Sequence, residues 1–271
     1  MELSQVFTIA LKELRDRLRN RWVLAVALVF TVFALVIAYF GGAQQGAVGL
    51  RSIEFTITSL VSLVIYLIPL IALLLGFDAI VGERERGSLD LLLALPITRF
   101  ELLLGKYLGL SAALSLSTLA GFGLVAVLLA TQIGAAGLAP YVGFMFSSVL
   151  LGLAFLSMAV MLSVLAVDRT RASGLAIAMW FFFVLVFDLL LLGLLVVAGG
   201  ELGGDWFAYL LLLNPADVFR ILNVFSLDDV RSLYGLTSIV PGALAKPWLM
   251  SLVMLGWIVA PLSIATWRFR P

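Results

Sequence analysis

The sequence predicts an all-α integral membrane protein, in which six transmembrane helices follow an N-terminal amphipathic helix. Of the 271 residues, 63% are hydrophobic and 12% are charged, against roughly 45–50% and about 25% in a soluble domain. The mean hydropathy is +1.18, and six apolar stretches are long enough to cross roughly 30 Å of hydrocarbon, which takes about 20 helical residues. We therefore treat residues 1–271 as a single transmembrane domain.

Composition excludes several classes of function. The chain contains no cysteine and no histidine, which excludes disulfides, metal sites with Cys or His ligands, and catalysis by thiolate or imidazole. The net charge of +1 argues against a nucleic acid partner, which requires a basic surplus gathered into a patch. Seven methionines could offer thioether ligands to Cu(I), but packing is the commoner role of Met in apolar helices. We expect no catalytic residue, no metal and no cofactor on this chain.

Residues 1–21 are predicted to form the amphipathic helix, lying in the headgroup region of the membrane. Apolar side chains recur every third or fourth residue, and basic side chains fill the positions between them. The apolar positions are Phe7, Leu11, Leu14, Leu18 and Trp22. A cytosolic surface helix is the alternative, which the apolar run directly after Trp22 disfavours.

The six spans are placed at residues 22–40, 56–82, 100–131, 139–167, 174–198 and 248–267. The second contains Pro69, which membrane helices tolerate, so we expect a kink there and no break. With a cytoplasmic N-terminus, 13 of the 17 basic residues lie on the inner side, the distribution that the positive-inside rule requires. An even number of spans then returns the C-terminus to the cytoplasm.

Residues 83–99 are predicted to form a cytoplasmic coupling loop between spans two and three. Charged residues come first, a short Leu-rich helix ends at Pro96, and Thr98 and Glu101 form a capping box for the next helix. The Leu-rich helix requires an apolar partner, either the protein's own spans or a second, soluble protein. A solvated turn whose charges only fix topology is the alternative. The candidate coupling residues are Glu83, Arg84, Glu85, Arg86, Gly87, Leu89 and Asp90.

Two further segments carry candidate residues outside the spans. Between spans four and five, a second cytoplasmic loop contributes Asp168, Arg169 and Arg171. On the outer side, the segment 199–247 is predicted to hold short helices that dip into the membrane interface or lie along it, and a disordered loop is the alternative. One of these helices begins with an N-cap, a proline at the first helical position and an acid in the first turn. Its residues Asn214, Pro215, Asp217 and Arg220 are candidates for a periplasmic platform.

Polar side chains within the spans are costly and therefore candidate functional residues. Asp188 lies near the middle of span five, where an ionised carboxylate costs at least about 2.5 kcal/mol. No Lys or Arg is expected at that depth, so we expect Asp188 to be protonated or bonded to polar side chains of span three, namely Ser111, Ser115 and Thr118. A gate or substrate contact and an interhelical hydrogen bond are equally open roles. Asp78 lies near the inner boundary, where we expect pairing with Lys106 or solvation.

The coupling loop resembles that of the ABC-2 class of ABC-transporter permeases. The shared pattern is the charged run and Gly-Ser-Leu-Asp at residues 83–90, followed by Leu104-Gly105-Lys106. In that class the loop is a coupling helix seated on a partner ATPase. The likeness to the permeases of nitrous oxide reductase maturation systems extends over nearly the whole chain. It rests on residues 19–22, on 68–70 through 77–83, on Phe183-Val184-Leu185-Val186-Phe187-Asp188 and on Leu211-Leu212-Leu213-Asn214-Pro215.

This resemblance implies a homodimer in the bacterial inner membrane, in contact with membrane lipid. It also implies a cytosolic ABC ATPase dimer, which would bind ATP and Mg²⁺, and a periplasmic partner of the copper-chaperone type. The chain itself would be a permease subunit and not an enzyme, and its glycine-rich run at 199–204 lacks the Lys-Ser/Thr of a P-loop. The expected function is to couple ATP hydrolysis to assembly of the copper–sulfur centre of nitrous oxide reductase, by transport of a sulfur species or by force. An exporter of lipid or hydrophobic drug and a non-transporting membrane scaffold are the alternatives.

Overall fold

The computed structural model describes residues 3–19, 21–40, 53–134, 138–197, 209–225 and 246–269, and these residues form helices and no strand. The all-α class is confirmed. The helices are α1 Leu3–Arg19, α2 Trp22–Phe40, α3 Ile53–Gly76, α4 Val81–Glu85, α5 Ser88–Leu93, α6 Arg99–Ile133, α7 Ala139–Leu165, α8 Arg169–Phe181, α9 Phe187–Val197, α10 Pro215–Arg220 and α11 Pro247–Arg268. Two wider π turns, Phe182–Val186 and Ile221–Phe225, follow α8 and α10.

Within the part of the chain that the structure describes, five stretches of helix are long and apolar enough to cross a membrane, and a sixth is counted when α1 and α2 are taken together. The five are Thr56–Glu85, Arg99–Thr131, Ala139–Leu165, Arg169–Val197 and Pro247–Arg268. The last four of these are called spans three to six below. The chain bends by 64° between α1 and α2, as expected where an interfacial helix turns into a span.

The structure places two helix boundaries differently from the sequence prediction. Span five begins at Arg169 and not near residue 174, because Asp168 caps α8 by accepting a hydrogen bond from the Arg171 amide. The second span passes through Pro69 and ends its long helix at Gly76. The amides of Ile80 and Val81, at the start of α4, donate to the Ser163 hydroxyl at 2.9 and 3.0 Å. A side chain of α7 therefore supports the turn that leads into the loop.

Span four lies at the centre of the bundle. Of its most apolar stretch, 72% is buried, against 6% for span five. Aromatic rings fill the core beside it: Phe144 packs against Phe122 and Phe219 with ring centroids 5.4 and 6.1 Å apart. Span five is thus peripheral in this chain, and span four is the core helix on which the others pack.

The amphipathic helix α1 packs against span three through two glycines. A Cβ at Gly105 would lie 2.7 Å from Ile9 Cβ, and one at Gly109 would lie 2.5 Å from the carbonyl oxygen of Ala10. Small residues four apart let two helix backbones approach this closely. Leu3 and Phe7 of α1 remain 71% and 69% exposed. The helix therefore has a fixed seat on the bundle and keeps an apolar edge outside it.

Candidate functional site

The loop between spans two and three folds into the short helices α4 and α5. Gly87 precedes α5 with φ of 71°, in the left-handed region that favours glycine. Leu89 is buried in the bundle, whereas Leu91 and Leu95 are 74% and 55% exposed, and Asp90 is exposed beside them. The Leu-rich helix therefore finds an apolar partner in the protein's own spans on one side and presents leucines outward on the other. We call the end of the bundle that carries this loop the loop end.

Lys106 joins three elements at the loop end. Its side chain is 6% exposed, and its Nζ lies 2.9 Å from Glu83 Oε1 and 3.5 Å from Glu13 Oε2. The Ser88 hydroxyl also donates to the Glu83 carboxylate, and Arg17 pairs with Glu13 at 3.0 Å. Buried charges are tolerated when they are paired and hydrogen-bonded. This cluster fixes the position of α1 and of the first half of the loop relative to span three.

Asp78 pairs with Arg169, which corrects the expectation that it pairs with Lys106 or is solvated. The Arg169 Nε atom lies 2.7 Å from Asp78 Oδ1, and Arg86 Nη2 lies 3.4 Å from Asp78 Oδ2. Lys106 is already held between two glutamates. The physical reason for the correction is the turn after Gly76, which directs Asp78 toward the second loop.

The second loop is bonded directly to the coupling loop. The backbone amide of Arg169 donates to Glu85 Oε1 at 2.7 Å, and Arg84 Nη1 donates to a backbone carbonyl of the second loop at 2.8 Å. Asp168 caps α8 and pairs with Arg171 at 3.2 Å. The two groups of candidate residues that the sequence placed on one side of the membrane therefore meet in one cluster, which joins the start of span five to the coupling loop.

At the opposite end, the segment 209–225 enters the bundle. Trp257, midway along α11, donates its Nε1–H to the carbonyl oxygen of Leu212 at 3.0 Å. We expected Asn214, Pro215 and Asp217 on an outer platform, but all three are buried. The reason is that α10 is short, so the polar groups at its ends need hydrogen-bond partners outside the helix, and the surrounding spans supply them. Its N-cap residue Asn214 lies inside the protein, and we call residues 209–225 the re-entrant segment for their position within the bundle.

Asn214 bonds α10 to span five. Its Oδ1 accepts from the Ala216 amide at 3.0 Å, which caps α10, and its Nδ2 donates to the carbonyl oxygen of Phe183 at 2.8 Å and to Asp217 Oδ2 at 2.9 Å. Phe183 lies in the first π turn, where the altered hydrogen-bond ladder frees backbone groups for other partners. A backbone carbonyl of the π turn in span five therefore accepts a hydrogen bond from a side chain of the re-entrant segment.

Asp188 forms an ion pair with Arg220, and this corrects the expectation that no cation lies at its depth. The Arg220 Nη2 atom is 3.1 Å from Asp188 Oδ2, and Nη1 is 2.5 Å from Asp217 Oδ1. Arg220 was assigned to an external segment, but the re-entrant course of residues 209–225 brings it level with span five. Asp217 is 2% exposed, whereas Asp188 and Arg220 are each 39% exposed. One arginine therefore pairs with two carboxylates within the bundle.

The polar stripe on span three has a different environment from the one we expected. Ser111 and Thr118 are buried and Ser115 is partly buried, but Asp188 bonds to Arg220 and not to them. Among the described residues, no three acidic side chains converge in a geometry that could hold a metal ion. The stripe is therefore part of the helix packing around span three.

Sequence reasoning missed two features of this site. It did not identify Glu13 as a partner of Lys106, since 93 residues separate them. It also did not predict the seat of α1, although Gly105 and Gly109 stand four residues apart in an apolar helix, which is the usual signal for close helix packing.

Comparison with known proteins agrees with this architecture. Residues 7–270 match the family described as ABC-2 family transporter protein. The chain is 45% identical to the "Probable ABC transporter permease protein NosY" of Stutzerimonas stutzeri over 275 residues, which cover 99% of each chain. It is 46% identical to the protein of the same name from Pseudomonas aeruginosa over 271 residues, which cover 98% of each chain.

Proposed function

This chain belongs to the ABC-2 family of transporter proteins as a multi-pass membrane permease subunit, and from that premise we propose a more specific function. It couples ATP hydrolysis in the cytosol to assembly of the copper–sulfur centre of nitrous oxide reductase in the periplasm. The observation that carries this proposal is 45–46% identity with two NosY permeases over nearly the full length. In this proposal the membrane is the bacterial inner membrane, and the loop end and both termini are cytoplasmic.

The proposed partners follow from the two ends of the molecule. A homodimer of this chain binds a NosF-like ATPase dimer at the loop end, where exposed Leu91 and Leu95 offer an apolar contact. ATP and Mg²⁺ are bound by that ATPase, and this chain binds no cofactor. A NosD-like periplasmic protein of the copper-chaperone type sits at the opposite end. Membrane lipid surrounds the spans and the exposed edge of α1.

Transmission of force is the mechanism that the contacts favour over passage of copper. A soft metal ion requires thiolate, imidazole or clustered thioether ligands, and the chain has no Cys and no His. The loop end is instead connected by ion pairs to span five, and span five is connected to the re-entrant segment. Transport of a sulfur species remains compatible with the same architecture and is separated from force transmission by the vesicle assay below.

A second candidate function is export of a lipid or hydrophobic drug. A cavity of about 450 Å³ between spans two, four and six is lined mainly by apolar side chains, including Ile57, Phe144, Leu150 and Leu222. Mostly apolar cavities of this size are typical of small-molecule sites. A scaffold without an ATPase is a third reading, which failure to co-purify any nucleotide-binding protein would favour.

Deletion of the gene in its own organism tests the proposed function. We expect periplasmic nitrous oxide reductase to be made without its copper–sulfur centre, as measured by absorption of the purified enzyme and by loss of nitrous oxide reduction. Restoring the gene with Leu91→Ile should restore the centre, whereas Leu91→Asp should not, because a charge at this exposed apolar position weakens the contact with the ATPase. A fully assembled centre in the deletion strain would refute the proposal.

Vesicles that contain the assembled complex separate the mechanisms. ATP-dependent uptake of a sulfur species indicates transport, and its absence with intact ATP hydrolysis indicates force transmission. ATP-dependent movement of a lipid or a hydrophobic dye, together with normal copper–sulfur assembly in the deletion strain, would instead support the exporter.

A further inference from the structure

Span five is the least buried of the five spans found in the described residues, and Phe183 is its aromatic contact with Phe155 and Trp257. Only 6% of its most apolar stretch is buried, and α9 buries no residue. Segments with few buried contacts are displaced at the lowest free energy. Among the described spans of a single chain, span five is therefore the one that the core helix α7 holds least firmly.

Polar contacts fasten this loosely packed span at the loop end. Arg169 binds Asp78 through Nε at 2.7 Å and through Nη2 at 2.9 Å, and its backbone amide donates to Glu85 at 2.7 Å. Glu85 belongs to α4 of the coupling loop, and Asp78 to the turn that leads into it. A displacement of the coupling loop therefore acts on span five directly. We call this set of contacts the inner joint.

A second set of polar contacts fastens the span to α10. Asn214 donates to the Phe183 carbonyl at 2.8 Å, and Arg220 pairs with Asp188 at 3.1 Å. We call these two contacts the outer joint. Phe183 lies within the π turn Phe182–Val186, and Asp188 comes two residues after it. The opposite side of α10 packs on the core, since Phe219 contacts Phe144. Movement of span five therefore pushes or pulls α10 against α7.

We propose that span five carries movement of the coupling loop to the re-entrant segment, with Arg169 and Arg220 as positioning residues at the two joints. The proposal rests on the proposed function as an ATP-driven permease and specifies how force crosses the membrane. Coupling between distant sites requires a physical element whose arrangement both sites influence. A helix bonded at its start and again near its middle meets that requirement, and the π turn at the outer joint is a place where it can bend.

The absence of native cysteine makes the movement measurable. Cysteines introduced for spin labels at Ala94, Val197 and Leu213 report on the loop, the far end of span five and the re-entrant segment; Ala94 is exposed, and Val197 and Leu213 are 86% and 56% exposed. Each is paired with a reference label at Trp248, which is 65% exposed at the start of α11. Pulsed EPR on the full complex with its ATPase, with labelled chain diluted in unlabelled chain, gives each distance with and without a non-hydrolysable ATP analogue.

Removal of the inner joint should separate the loop from span five, while the bonds of Ile80, Val81 and Arg84 to the end of α7 remain. In the unaltered complex we expect all three distances to shift on nucleotide binding. With Arg169→Leu and Glu85→Ala, the Ala94 shift should remain, and the shifts at Val197 and Leu213 should be lost. The matched control is Arg171→Leu, which removes an exposed arginine from the same helix turn and should leave all three shifts intact. Asp78→Asn removes the same ion pair and replaces the double variant if that variant does not fold.

Removal of the outer joint should leave the movement of span five intact and abolish the movement of the re-entrant segment. Asp188→Leu removes the ion pair and suits a membrane span, and Asn214→Ser keeps an N-cap for α10 while losing the reach to Phe183. In this double variant the Val197 shift should persist and the Leu213 shift should be lost. A Val197 shift that survives the inner cut, or a Leu213 shift that survives the outer cut, overturns the inference and leaves the proposed function standing. The absence of any shift in the unaltered complex overturns both.

Discussion

Replacement of Arg220 by methionine tests whether one cation stabilises two carboxylates inside the bundle. Arg220 lies 2.5 Å from Asp217 and 3.1 Å from Asp188. Asp217 is 2% exposed, and breaking a buried ion pair by removing one partner costs about 3–5 kcal/mol. Asp188 is 39% exposed but lies near the middle of a span, where an ionised carboxylate without a cation costs at least about 2.5 kcal/mol. We expect Arg220→Met to lower the free energy of unfolding by about 3–5 kcal/mol.

A double-mutant cycle isolates the interaction with Asp217. Asp217→Asn combined with Arg220→Met leaves no uncompensated carboxylate in the fully buried position. We therefore expect the double variant to be more stable than Arg220→Met alone, with a coupling energy on the order of 2 kcal/mol. Asp188→Asn alone should cost less than Arg220→Met, because the amide oxygen still accepts a hydrogen bond from Arg220 and the buried Asp217 keeps its cation.

Unfolding by SDS in mixed micelles, followed by tryptophan fluorescence, measures these differences. Arg171→Met is the matched control, since Arg171 is 69% exposed and paired only with the neighbouring Asp168, and it should cost about 1 kcal/mol or less. Equal free energies of unfolding for Arg220→Met and Arg171→Met would show that Arg220 does not neutralise a buried charge. Failure of Asp217→Asn to recover any stability would lead to the same conclusion.

Three further predictions concern the loop end. Lys106→Met should lower the free energy of unfolding by about 3 kcal/mol, since it leaves Glu13 and Glu83 without their shared buried cation. The same SDS titration measures this loss, and a loss under 1 kcal/mol would show that Lys106 does not stabilise the two glutamates. Gly109→Leu should lower the free energy of unfolding by about 1–3 kcal/mol and displace α1, because its Cβ would meet backbone of α1 at 2.5 Å. Gly123→Leu on the same helix should be near neutral, because nothing lies within 4 Å of a Cβ at that position. A C-terminal alkaline phosphatase fusion should be inactive and a fluorescent protein fusion bright, and the reverse pattern refutes a cytoplasmic C-terminus.

The spans could be predicted from the sequence because length and hydropathy decide whether a helix crosses a membrane. The capping box of Thr98 and Glu101 was equally predictable, since both partners lie within one turn of helix, and it is present with the Thr98 amide 2.8 Å from Glu101 Oε2. Local signals of this kind depend on a few neighbouring residues, so a single sequence contains them in full.

The partners of the charged residues could not be predicted in the same way. The pairing of Asp188 with Arg220 depends on how deeply residues 209–225 re-enter the bundle, and their composition does not distinguish that course from a helix on the surface. The pairing of Asp78 with Arg169 depends on the direction of the turn after Gly76, which a serine 83 residues away from Ile80 supports. Both ion pairs therefore depend on contacts between residues that are far apart in the sequence.

The seat of α1 on Gly105 and Gly109 sets an order of events during synthesis. The glycines leave the ribosome about 100 residues after α1, a delay of roughly 5–20 s at 5–20 residues per second. During that time α1 lacks its contact with span three, and its apolar face is not yet covered by the bundle. Leu3 and Phe7, still about 70% exposed after docking, are the part of that face that the bundle never covers.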